Sequence, residues 1–82
     1  MLAQYVGVYE SPQLTFTMSL EDGLLHMTPS GQSKVRLYAA ARDTLFPRVV
    51  NATVVMTRDA TGQVAGLLLR QGGQDLPARK VR

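Results

Sequence analysis

Leu14, Phe16, Met18 and Leu20 alternate with Thr15, Thr17 and Ser19, the cleanest period-two run in the chain, and this predicts a strand with one face buried and one wet. Upstream, Gln4 to Glu10 also alternates, with Gly7 interrupting, and predicts a bulged first strand in which Tyr5 with Val8, or Val6 with Tyr9, form the inward pair. Glu21-Asp22-Gly23 closes a hairpin onto a strand at Leu24 to Thr28, and Pro29 to Ser33 is a polar loop. Lys34 to Ala40 alternates again, Val35, Leu37 and Ala39 against Lys34, Arg36 and Tyr38, with a short helix over 38–43 as its local competitor because of the alanines. One helical turn is marginal without tertiary support. Leu45 to Val50 predicts a fifth strand, with Pro47 placing it at an edge, a bulge or a strand start.

The stretch Val54 to Arg82 holds three apolar runs cut by two glycine turns, Asp59-Ala60-Thr61-Gly62 and Gly72-Gly73. It predicts strands over 52–58, 63–70 and 75–81 paired as a meander. The whole is one all-β domain over residues 1–82, a small antiparallel up-and-down meander of about eight short strands curling into a barrel.

Bulk properties narrow the function classes. A chain of this length leaves roughly 60% of its surface to bury, so the core is small and a large private ligand cavity is not expected. The chain has no cysteine, which removes disulfides and thiolate chemistry together. Formal charge is +3, and Arg79, Lys80 and Arg82 at the end account for that excess, so the pattern is a basic tail rather than the broad basic face that nucleic acid requires. No apolar run approaches the roughly 20 residues of a membrane helix, and the first residues show no secretory-signal pattern. Partners expected from the residues therefore include neither nucleic acid nor membrane.

Candidate chemistry is sparse. His26, the one histidine, stands between Leu25 and Met27 without neighbouring metal-ligand residues, and reads as a plain strand residue. None of Ser11, Ser19, Ser30 and Ser33 lies in a Gly-x-Ser-x-Gly or Ser-x-x-Lys pattern. Glu21, Asp22, Asp59 and Asp75 sit at turns, where solvated turn residues are the simpler reading than an acid and base pair. Gly62, Gly66, Gly72 and Gly73 precede no helix, which removes the phosphate-cradle reading. Asn51-Ala52-Thr53 is a formal glycosylation triplet at a strand start. No cofactor, metal or catalytic residue is expected.

The order Tyr5-x-Gly7-x-Tyr9, Asp22-Gly23-x-Leu25, Leu37-Tyr38, Phe46 and Met56-x-Arg58-Asp59-x-x-Gly62-x-Val64-x-Gly66-Leu67-x-Leu69-x-Gln71-x-Gly73 resembles DUF3471, a family of small domains of unknown function. The family usually carries an aromatic residue where this chain has Met56, and often a histidine or similar polar residue near Arg70. Members typically lie at the C-terminal end of bacterial serine hydrolases similar to class C β-lactamases and penicillin-binding proteins. They look like lipocalin-type barrels, and their parent enzymes are often periplasmic or exported. The resemblance implies a non-catalytic accessory domain with a serine hydrolase catalytic domain as partner, acting in packing, substrate access or oligomer contacts. No catalytic residue carries over to this chain. Two alternatives stand beside it. One is a lipocalin-like carrier of an apolar ligand lined by Phe16, Met18, Leu37, Phe46, Val54, Met56, Leu67 and Leu69, which are equally a plain core. The other is a stand-alone interaction domain using a sheet edge or the basic tail, with self-association as one form of contact.

Overall fold

The computed structural model describes residues 2–48 and 51–82; the end of the fifth predicted strand, Val49 and Val50, lies outside the described residues. The chain is all-β. A 3-10 turn at Leu2–Tyr5 precedes β1 (Gly7–Glu10), β2 (Thr15–Glu21), β3 (Leu24–Pro29), β4 (Val35–Arg36), β5 (Tyr38–Ala41), β6 (Thr44–Phe46), β7 (Ala52–Arg58), β8 (Val64–Gln71) and β9 (Gln74–Lys80). All nine belong to one antiparallel sheet of order β4-β3-β2-β1-β9-β8-β7-β6-β5. First and last strands in the chain, β1 and β9, meet in the middle of that order, with Tyr9 opposite Lys80.

The two outer strands of the order, β4 and β5, are consecutive in the chain and separated by Leu37 alone. β4 pairs with β3, placing Met27 opposite Val35, and the Leu37 amide still donates to the Leu25 carbonyl at 2.9 Å. One residue later the chain has changed partner, and Tyr38 lies opposite Phe46 of β6. The strand predicted over Lys34 to Ala40 is therefore one bent segment serving two neighbours, and through it the meander becomes a nearly closed barrel. Leu37 is buried at the bend, so the change of partner is pinned by the core. The helix that competes locally over 38–43 gives way because its backbone groups find partners on β6, whereas an isolated turn of helix finds almost none.

Three local expectations are corrected. The first strand begins at Gly7 rather than Gln4, because Leu2 and Tyr5, three residues apart on a 3-10 turn, both face the end of the barrel and pack on its core. No bulge accompanies Gly7, since its register with β2 continues unbroken from Gly7 opposite Met18 to Glu10 opposite Thr15. Register shifts occur instead between Ala39 and Ala41 and between Thr57 and Arg58. Leu20, expected inside with Phe16 and Met18, is 39% exposed at the rim, where β2 runs out toward its hairpin.

Turn chemistry sets the registers. Asp22 and Gly23 have φ of 53° and 78°, and Gly72 and Gly73 have 60° and 78°, so both hairpins reverse in two residues with positive φ at each, the turn whose twist matches that of the flanking strands. In the β7–β8 turn the Asp59 carboxylate accepts from the Thr61 amide and hydroxyl and from the Gln63 amide, while Gly62 N–H closes onto the Asp59 carbonyl at 3.0 Å. The hydrogen bond from Thr61, followed by those of the backbone amides, lowers the Asp59 carboxyl below its ordinary range. Asp59 is thereby spent on the turn.

Inside, Tyr9, Phe16 and Val54 have no exposed surface, and Met18, Leu25, Leu45 and Leu67 have almost none. Together with Tyr5, Met27, Leu37, Met56 and Ala78 they form one packed cluster. The barrel centre is filled by its own side chains.

Candidate functional site

The two ends of the barrel differ. One carries the Leu2–Tyr5 turn, the hairpins at 22–23 and 42–43 and the turn at 59–62; the other carries the loops at 11–14 and 29–34, the end of β6, the start of β7 and the Gly72-Gly73 turn.

At the first end a polar clamp ties together segments far apart in sequence. Arg58 presents a two-pronged fork to Asp43, Nε to Oδ2 and Nη2 to Oδ1, both at 2.7 Å. Its Nη2 also donates to Gln4 Oε1 at 2.8 Å, and its Nη1 to the Gly62 carbonyl at 2.7 Å. The Tyr5 hydroxyl donates to Asp43 Oδ1 at 2.7 Å and accepts from the Asp43 amide at 3.1 Å. Tyr9, one layer deeper, donates its hydroxyl to the Tyr5 carbonyl at 2.7 Å. Asp43 adopts φ of 61°, a left-handed conformation that Asp tolerates better than most residues, and this turns its side chain toward the fork.

The electrostatics follow from these contacts. Arg58 first, and the Tyr5 hydroxyl second, hold the Asp43 carboxyl far below the usual carboxylate range. Burial, then the hydrogen bond to Asp43, pushes the Tyr5 phenol up. Burial, with the neighbouring Tyr5 phenol, pushes Tyr9 up to about 12. A general base works best with a pKa near the working pH, and Asp43 is driven the other way. The arrangement is chemically a clamp: it fastens the N-terminal turn over the barrel end and joins β5–β6 to β7–β8.

The opposite end is open. A recess of about 130 Å³ enters the mouth above the buried Phe16, walled by Leu14, Val35, Pro47, Ala52 and Leu69, with Gln32, Ser33 and Gln71 at its polar edge. It lies where the bent strand parts from β6: Val35 is still with β3, whereas Pro47 lies past the last residue of β6. On the outer wall beside this gap, the Tyr38 ring packs at 5.8 Å from Phe46 and carries two guanidinium groups, Arg36 at 4.3 Å and Arg48 at 4.2 Å from its centroid. Each such contact contributes on the order of 0.5–1 kcal/mol at an exposed site.

Of the eight residues expected to line a core or ligand space, Phe16, Met18, Leu37, Val54, Met56 and Leu67 are buried in the central cluster, and Leu69 is partly buried against it. Phe46 is placed differently. Leu45 takes the inward position of β6, so Phe46, its neighbour, points to the outer face against Tyr38. His26 is half exposed with Nδ1 3.0 Å from the Leu24 carbonyl, and Glu21 pairs with Lys34 at 2.6 Å on the same exposed region. Among the described residues no group of three His, Cys, Asp or Glu side chains gathers to hold a metal ion, and no helix is long and apolar enough to cross a membrane.

The clamp had no sequence signal of its own. Asp43 lies 38 residues from Tyr5 and 15 from Arg58, and reads in sequence only as a break after Ala41. A charged residue at the end of an otherwise apolar strand, as Arg58 is, was the available hint. Compared with known proteins, the chain matches no family model and no curated protein sequence.

Proposed function

We propose that this barrel is a non-catalytic accessory domain of a serine hydrolase similar to the class C β-lactamases, working by contact with the catalytic domain through packing, control of substrate access or joining of copies. The observation that carries this reading is the filled interior: Tyr9, Phe16 and Val54 at zero exposure occupy the space in which a barrel enzyme or a carrier would hold its substrate. Supporting it, the strongest polar cluster, Tyr5–Asp43–Arg58, is engaged within itself, and the Tyr5 to Gly73 pattern resembles domains that accompany such hydrolases. The recess at the open mouth lies beside this filled centre and not within it.

The test is an assay of the chain alone, and then of the protein made from its whole reading frame, on a chromogenic cephalosporin and a p-nitrophenyl ester. The chain alone is expected to show the buffer rate, and turnover is expected to reside in an upstream domain bearing Ser-x-x-Lys. Turnover by the chain alone, or a reading frame that encodes no such domain, would contradict the proposal.

A further inference from the structure

The recess at the open mouth and the two arginines beside it are separate features of the sequence, yet the bend at Leu37 brings them to one place. Val35 walls the recess and Arg36 follows it; Pro47 walls the recess and Arg48 follows it. Extending the register that sets Tyr38 opposite Phe46 and Ala39 opposite Leu45 places Arg36 opposite Arg48, at the point where β4 has left β6 for β3. Adjacent residues of a strand face opposite ways, so an inward apolar wall and an outward cation meet at each lip of the gap.

Two like charges held on one ring repel, and an anion between them relieves that repulsion. Here the ion pairs found among the described residues are Lys34–Glu21, Arg58–Asp43 and Arg70–Asp75, and none involves Arg36 or Arg48. No acidic residue lines the recess. Tyr38 holds both guanidinium groups close to its ring, which reduces the ordering required when an anion arrives. Mouths of β-barrels are recurrent sites for small ligands that combine an apolar body with a few polar contacts.

We propose that the gap between β4 and β6 is a binding site for a short anionic amphiphile, a carboxylate whose apolar part of about five carbons enters the recess while its head group is held by Arg36 and Arg48. The size follows from the cavity: a dry apolar cavity of about 150 Å³ takes one benzene-sized molecule, and this recess is slightly smaller at about 130 Å³. Longer chains protrude past Gln32, Ser33 and Gln71, whose polar groups favour water there. The head group gains two charge-assisted contacts, and guanidinium suits a planar carboxylate better than an ammonium would. This site does not depend on the accessory-domain reading, since it belongs to the barrel itself.

The test is a titration of the chain with hexanoate and, separately, with hexanol, followed by amide NMR shifts at low ionic strength. Hexanoate is expected to give saturable shifts centred on Val35, Arg48, Ala52 and Leu69, to bind roughly tenfold more tightly than hexanol, and to weaken as salt is added. In the double variant Arg36→Gln, Arg48→Gln, both changes being on the exposed outer wall, the preference for hexanoate is expected to disappear while hexanol shifts persist. Absence of saturable shifts with hexanoate, equal binding of the two probes to the wild-type chain, or an undiminished preference in the double variant would each overturn the proposal.

Discussion

Gly66→Ala is expected to destabilise the barrel by about 2–3 kcal/mol, an overpacking cost set by backbone rather than by side chains. A Cβ at this position would stand 2.5 Å from the Ala78 carbonyl oxygen of β9 and 3.1 Å from Thr57 Oγ1 of β7. The hydroxyl can rotate away. The carbonyl cannot, because it is fixed in the β8–β9 ladder in which Gly66 faces Arg79 and Leu67 faces Ala78. Relief therefore requires β8 and β9 to part beside the bulge at Thr57/Arg58, in the centre of the sheet order. For a chain of this length total stability is on the order of 4–12 kcal/mol, so the change removes a large share and lowers Tm by roughly 10–20 °C. Gly73→Ala is the informative contrast. Its φ is 78° with nothing within 4 Å of a built Cβ, so only the left-handed conformation is penalised, at about 1–2 kcal/mol. Urea unfolding of both variants gives the comparison, and an alanine at Gly66 that costs less than one at Gly73 would show that the β8–β9 approach leaves room for a Cβ.

Asp43→Asn isolates the charge of the clamp. Asparagine accepts a left-handed backbone as aspartate does, so the 61° φ of Asp43 adds little strain, whereas the ionic fork with Arg58 is lost and an amide N–H₂ faces guanidinium donors. The expected loss is about 2 kcal/mol at neutral pH, the range for hydrogen bonds to charged groups. Its pH dependence has a definite sign. The folded-state carboxyl is depressed below its unfolded value of about 3.9, so the stabilisation is fully present above that value and is lost as pH falls from it toward the folded one. The gap between wild type and variant is expected to hold from pH 7 to about pH 5 and to narrow below roughly pH 4. A gap that does not change with pH would mean that the charge of Asp43 contributes nothing and that only shape was altered.

How much of this was legible beforehand varies with the range of the interactions involved. The β2–β3 hairpin and the strands over 52–81 are local objects: alternation of Phe16 and Met18 with threonines, and glycines at the turns, specify them within a few residues. The eight-strand reading differed from the observed nine at Leu37, because alternation from Lys34 to Ala40 is the same whether the segment pairs with one neighbour or changes between two. Parity along β6 failed for a similar reason. Leu45 and Phe46 are both apolar, and only the register against Val54 and Val55 decides that Leu45 faces in. The clamp joins Arg58 to Asp43 and Gln4, 15 and 54 positions away, and the mouth sets Val35 and Arg36 beside Pro47 and Arg48, 12 positions on, and no short pattern encodes such meetings. Turn chemistry at Asp59, in contrast, was visible from Asp-x-Thr-Gly alone.

One bent strand, pinned at Leu37, closes the meander into a filled barrel with one clamped and one open end. Interstrand NOEs in the isolated chain test it most directly. Contacts of β4 with β3 at Val35–Met27, of β5 with β6 at Ala39–Leu45, and of β1 with β9 at Tyr9–Lys80 are expected, all within a single population. Contacts showing that Ala39 to Ala41 continue along β3, with β6 left unpaired on that side, would contradict it.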